Sequence, residues 1–227
     1  MRAFFISTGI LFSLALVGCG PGAGGRPGPL STTIDEASLA SVSIGAKKDM
    51  IHKQNDFHIA KAAFQKATDA NQNFKHEEEL AKNGKKKADI ETGSAKTKVE
   101  AAKSSGDKER MSQAMAAMHS AQLQHEIADA HLEVARTQTK YLQSNKNFHE
   151  EKMFLAQARF ELSKAELTKK NNLGAADFSL DAFKLQVTDR ESRVKKAAER
   201  NDALQKEASL AKQKWQSLSN KAKSQRS

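Results

Sequence analysis

The three prolines of this 227-residue chain are Pro21, Pro27 and Pro29, and none follows. From residue 30 onward nothing removes a backbone N–H or clashes with the preceding turn, so continuous helix is permitted to the end of the chain. Composition points the same way. Hydrophobic residues are 38% and charged residues 28%, with a single Trp and a single Tyr. That is too few large side chains for a wide core, while the abundance of Ala, Lys, Glu, Gln and Leu suits long helices with narrow apolar seams.

The seams are legible as heptads. Ala60, Ala67, Phe74, Ala81, Ala88, Ala95 and Ala102 recur every seven residues, flanked by Phe57 and Phe64. Thr33-Ile34-Asp35-Glu36 matches a capping box, so a first helix is predicted from about residue 34 to 103. The register persists through Asn83-Gly84 and Gly93, which argues against a helix end at either, although each Gly there costs about 1 kcal/mol relative to Ala. Ser104-Ser105-Gly106-Asp107 is a turn with Asp107 as N-cap. A second helix, about 108–170, carries Ile127, Val134, Tyr141, Phe148, Leu155 and Leu162 as its main seam. Companion positions are Ala130, Thr137, Ser144, Glu151, Ala158 and Ala165. After Asn171-Asn172-Leu173-Gly174 a third helix, about 175–221, carries Leu180, Val187, Val194, Asn201, Ala208 and Trp215. Its companions are Phe183, Arg190, Ala197, Leu204, Ala211 and Leu218.

Three heptad segments joined by tight turns predict an all-α fold: an elongated antiparallel three-helix coiled coil with a projecting two-helix hairpin tip. Folding back about each turn puts Phe148 opposite Phe64 and Trp215 opposite Ala130. The third helix then stops alongside residues 121–127, and residues 85–119 project as a bare hairpin. A second stripe on the middle helix, Met153, Phe160 and Leu167, suits an element packed between two neighbours, or else an exposed groove for a partner.

The N-terminus has its own pattern. Met1-Arg2 is a short positive region, and residues 3–17 are apolar and too short for a comfortable membrane span. Leu16-Val17-Gly18-Cys19 follows, and Cys19 is the only cysteine. This segment resembles a bacterial lipobox. The resemblance implies cleavage between Gly18 and Cys19, a thioether-linked diacylglycerol on the Cys19 sulfur, and an acylated amine such as a palmitate would supply. Gly20 stands where an Asp would favour inner-membrane retention, which implies an outer-membrane lipoprotein facing the periplasm. Residues 1–18 are thus read as a cleaved signal peptide, 19–31 as an acylated Cys with a Gly/Pro-rich linker, 32–222 as the helical domain, and 223–227 as a basic tail. Together with the Ala-spaced helices, these features resemble the Ala- and Lys-rich helical lipoproteins of bacteria, a family of unknown function. That resemblance implies a cell-envelope location and no activity.

The formal charge is +10, and cleavage would remove Arg2 and no acid, leaving +9. A basic balance suits anionic partners or a solvated Lys-rich surface. Lys85-Lys86-Lys87 is the densest basic run, but no aromatic residues interleave with it as stacking platforms, so nucleic acid is not expected as a partner. His125-Glu126-Ile127-Ala128-Asp129 resembles the zincin helix, yet Asp129 stands where the second His belongs and no neighbour completes a zinc site. His119, His125 and His131 are six apart and do not share a face. Glu77-Glu78-Glu79 lies on a polar helix surface. No catalytic residue, metal ligand or cofactor site is expected, and the chain is not read as an enzyme.

Met111, Met115 and Met118 fall in the projecting stretch at spacings of four and three, and so share one face of the second helix. Val99 and Ala95 are their expected neighbours, with Lys96, Lys98, Lys103, Lys108 and Arg110 around them. The methionines either close the two-helix seam or form an adaptable partner-binding patch. The functional expectation is a lipid-anchored spacer, scaffold or adaptor that binds an envelope protein. The alternative is a Lys-rich module on anionic glycan or lipid. Homo-oligomerisation is left open by the sequence.

Overall fold

The computed structural model describes residues 30–173 and 179–224. Of these, 89% are helical, and no strand occurs among them. A 3-10 turn, Glu36–Leu39, precedes four α-helices: α1 Lys48–Asn73, α2 Lys75–Ser105, α3 Lys108–Lys170 and α4 Leu180–Ser224. α3 has 63 residues, which at about 1.5 Å per residue makes it about 95 Å long. α1 and α2 follow one another along one side of α3, and α4 packs on α3 as well. Among the described residues α4 makes no close backbone approach to α1 or α2. The middle helix is therefore the shared element, buried from two sides.

The first helix does not begin near residue 34. Asp35 caps only the 3-10 turn, its carboxylate accepting from the Ala37 N–H at 3.0 Å. Leu39 and Val42 then turn inward and pack on Leu167, with Met50 and Leu173 against them. Regular helix starts only at Lys48, after Ser41, Ser43 and Gly45, which are poor helix formers. Burial of two apolar side chains outweighs the local capping signal, and Ser31, assigned above to the linker, belongs to the folded body.

The second departure is at Phe74. The backbone there (φ -85°, ψ -10°) divides the expected first helix into α1 and α2. Gly84 and Gly93 lie inside α2 with open space around them. Phe74 is the one large residue in a seam whose neighbours Ala67 and Ala81 are buried, and is itself half-buried. Ala88, Ala95 and Ala102 continue the seam, all buried, and Ala60 is half-buried.

On α3 the burial order is the reverse of the one expected. Of the main seam Leu155 is buried, but Ile127, Val134, Tyr141, Phe148 and Leu162 are only half-buried, whereas the companions Ala130, Thr137, Ser144, Glu151, Ala158 and Ala165 are all buried. The companion line meets α4 at Glu151, which pairs with Arg190. The register across that interface is marked by Trp215, whose ring lies 5.1 Å from that of His131, next to Ala130. Asn201 is buried in the α4 seam, and its Oδ1 has no hydrogen-bond partner among the described residues. A buried polar seam residue specifies register at a cost in stability.

Candidate functional site

The α2–α3 turn is built from local chemistry. Gly106 ends α2 at φ 68°, in the left-handed region that glycine enters most easily. Asp107 opens α3, its Oδ1 accepting from the Glu109 and Arg110 N–H groups at 2.9 and 3.1 Å. Beyond the turn, Ala114 is buried between half-buried Met111 and Met118, and Val99 of α2 is half-buried. Met115 is 52% exposed. The three methionines are therefore not equivalent: Met111 and Met118 lie along the seam with Ala114, while Met115 is turned toward solvent. Lys96, Lys98, Lys103, Lys108 and Arg110 are exposed around them.

Further along the hairpin, α2 and α3 are joined by an ionic node. Lys85 Nζ lies 2.6 Å from Asp129 Oδ1, and His125 Nε2 lies 2.7 Å from Asp89 Oδ1. Hydrogen bonding from Lys85 holds the Asp129 carboxyl below its usual range and raises the Lys85 ammonium in turn. The zincin-like residues thus belong to a helix-to-helix contact in which a lysine supplies the positive charge. Among the described residues no three His, Cys, Asp or Glu side chains converge as metal ligands. His131 meets Trp215 and His119 is exposed, so the three histidines serve separate surroundings.

The opposite end holds buried polar chemistry that the sequence did not reveal. Glu161 and Lys164 pair at 2.7 Å with both side chains almost fully buried. Glu161 accepts from the Ile34 N–H at 2.7 Å, and Lys164 donates to the Ile34 carbonyl at 2.6 Å. Gln186 of α4 accepts from the Ser31 and Thr32 N–H groups and donates to the Thr32 carbonyl. Residues 31–34 are thereby strapped to α3 and α4 together. Nearby, Arg190 pairs with Glu151 at 3.3 Å and lies over the Phe154 ring. Burial pushes the Glu151 carboxyl up, against the opposing pull of Arg190. Burial also lowers His149, helped by the charge of Lys152.

Glu151 and Arg190 stand at companion seam positions in the sequence, so their meeting could have been anticipated from the fold-back. Glu161, Lys164 and Gln186 carry no such signal, because their partner is the backbone of an irregular segment. Gly18 and Cys19 lie outside the described residues. No described helix is long and apolar enough to cross a membrane. No family model matches the chain, and neither the curated proteins nor the solved structures contain a similar one.

Proposed function

We propose that the chain is a lipid-anchored lipoprotein of the bacterial cell envelope, acting as a coiled-coil spacer or adaptor. In this reading Cys19 carries the acyl chains after cleavage at Gly18, residues 20–29 form the tether, and the anchored membrane is the outer one, facing the periplasm. The antiparallel coiled coil holds a projecting α2–α3 hairpin away from the lipid, and an envelope protein docks at its tip. No catalytic step, metal or cofactor has a part in it.

One observation carries the reading. Residues 31–34, among the first that the structure describes, are strapped near the end where α3 finishes and α4 begins. The Gly106-Asp107 turn stands at the other end of a helix about 95 Å long. Support for the bare hairpin comes from burial. Leu218 of α4 lines a groove with Glu126 and Asp129, and between residues 108 and 121 only Ala114 of α3 is buried.

Two experiments test this. Replacing Cys19→Ser should abolish acyl labelling and release the protein from membranes; a variant that still labels and sediments with them removes the anchor. A photoreactive residue at Ser105 should capture the envelope partner, and Met115→Glu, at an exposed position, should abolish capture without loss of helix. Capture from probes at Lys61 or Lys195 but not at Ser105 would place binding on the sides and end the tip reading.

A further inference from the structure

Halfway along the molecule the core nearly disappears. From residue 136 to 150 of α3 the buried side chains are Thr137 and Ser144. From 191 to 207 of α4 the one buried residue is Asn201, and from 68 to 80, across the end of α1 and the start of α2, there is none. On either side the core is apolar: Leu155, Phe160 and Leu167 are buried toward the strap, and Leu123, Leu132 and Ala135 toward the hairpin. The large residues of the middle stretch, Phe74, Tyr141 and Phe148, are half-buried.

The three thin stretches lie at one level. Asn71 Nδ2 donates to Gln143 Oε1 at 3.2 Å, and Glu78 lies 4.0 Å from Arg136, so the break at Phe74 stands beside residues 136–143 of α3. Glu207 pairs with Lys140 and Arg190 with Glu151, so Asn201 falls between residues 140 and 151. Much of what crosses this level is polar. The Gln143 amide donates in turn to Asn147 at 3.1 Å, and the buried Asn201 Oδ1 has no partner among the described residues. Amide bonds at the surface exchange for water at little net cost and hold no fixed geometry.

We propose that this level is a joint, about which the strapped half and the hairpin half of the molecule bend relative to one another. Two features coincide there: one of the helical lines is interrupted, and no apolar side chain is buried in any of them. Since α4 does not approach α1 or α2, only the α3–α4 pair runs unbroken through the level. Neither helix contains Pro or Gly, so the pair curves instead of kinking. At the radius of about 60–100 Å usual for long helices, a stretch of about 22 Å turns through about 15–20°. With about 45 Å of hairpin beyond the joint, the Gly106-Asp107 turn then swings through about 10–15 Å. The hairpin thus reorients while the strapped end stays fixed, which a plain spacer does not do.

The test uses the full chain carrying Cys19→Ser, so that introduced cysteines are the only ones. Spin labels at Arg193→Cys/Lys214→Cys span the level on α4, and labels at Ser112→Cys/Glu133→Cys lie in the hairpin half on α3. Both pairs are 21 residues apart, at exposed positions of an unbroken helix. Bending should broaden the first distance distribution beyond the second by about 3 Å, since each label stands about 10 Å from the bending axis. Amide exchange gives a second reading without labels. Residues 138–148 of α3 should exchange at least about tenfold faster than 128–135 and 155–165, although they lie in the middle of the helix. Asn201→Leu, which puts an apolar side chain at the buried α4 position, should narrow the first distribution and slow exchange at 138–148. Equal widths in the two pairs, or slowest exchange in the middle of α3, would overturn the joint whatever Asn201→Leu does. A folded Asn201→Leu chain with unchanged width would overturn it too, because packing would then not control the bend. The joint rests on packing alone, so none of these outcomes bears on acylation at Cys19 or capture at Ser105.

Discussion

The two ends of α3 are stabilised in different ways. Where α3 finishes, it is enclosed by α1, α4 and the strap, and the enclosed groups include charges: Glu161 with Lys164, Glu151 with Arg190. Where α3 begins, the buried residues are few and small: Ala114 of α3 and Ala95 and Ala102 of α2, with Met111 and Met118 half-buried. Buried charges tolerate no loss of a partner, whereas a thin apolar seam loses little with any one residue. One end is thus held in a single geometry, and the other is left with low local stability. Low local stability is the usual condition of surfaces that adapt to a partner.

The sharpest way to break this contrast is at the strap. Glu161→Ala leaves the Lys164 ammonium buried and the Ile34 N–H without its acceptor, and should cost about 3 kcal/mol in urea unfolding. A loss below about 1 kcal/mol would mean that the strap is peripheral. Next in size is Ala158→Leu, at a position with no exposed surface on the companion line of α3. Overpacking there should cost about 2 kcal/mol, and full tolerance would show that the helices can separate freely. At the other end, Asp107→Ala removes the two N-cap hydrogen bonds and should cost about 1 kcal/mol, with faster amide exchange confined to the residues flanking the turn.

Acid titration sharpens the comparison through its sign. The Asp129 carboxyl is held below its ordinary 3.8 by Lys85, so the unfolded chain binds the extra proton. Stability from this group is complete above that value and is lost as pH falls through the depressed one. The Glu151 carboxyl is pushed above its ordinary 4.5 by burial, so the folded chain binds the extra proton, and stability falls as pH rises from 4.5 through the raised value. Thermal melts against pH should lose an acid-side rise in Asp129→Asn and a fall in Glu151→Gln. Slopes of the same sign would refute the assignment. The smallest effect expected is that of Met115→Ala, within about 0.5 kcal/mol because the side chain is mostly in water; half-buried Met118→Ala should cost about 1 kcal/mol.

Much of this was legible in the order of residues. Missing prolines and the Ala heptad from residue 60 to 102 foretold helix through Gly84 and Gly93. The capping box at residues 33–36 misled, because an N-cap signal says only that a turn can start there. The seam of large residues on α3 misled as well, because periodicity reports which residues share a stripe and not how closely another helix approaches it. Of the candidate site, the turn chemistry of Gly106 and Asp107 was plain, while the exposure of Met115 was not.

The sequence by itself determined the all-helical character and the turn at Gly106-Asp107, which depend on residues near one another in the chain. Only the tertiary structure decided that Leu39 and Val42 leave the helix to cover Leu167, that α1 and α2 separate at Phe74, that the small side chains of α3 lie deepest, and that Gln186, Glu161 and Lys164 hold residues 31–34. Each of these brings together groups far apart in the chain. There the free energy of burying an apolar surface, or of satisfying a buried charge, exceeds the fraction of a kcal/mol with which local propensity speaks.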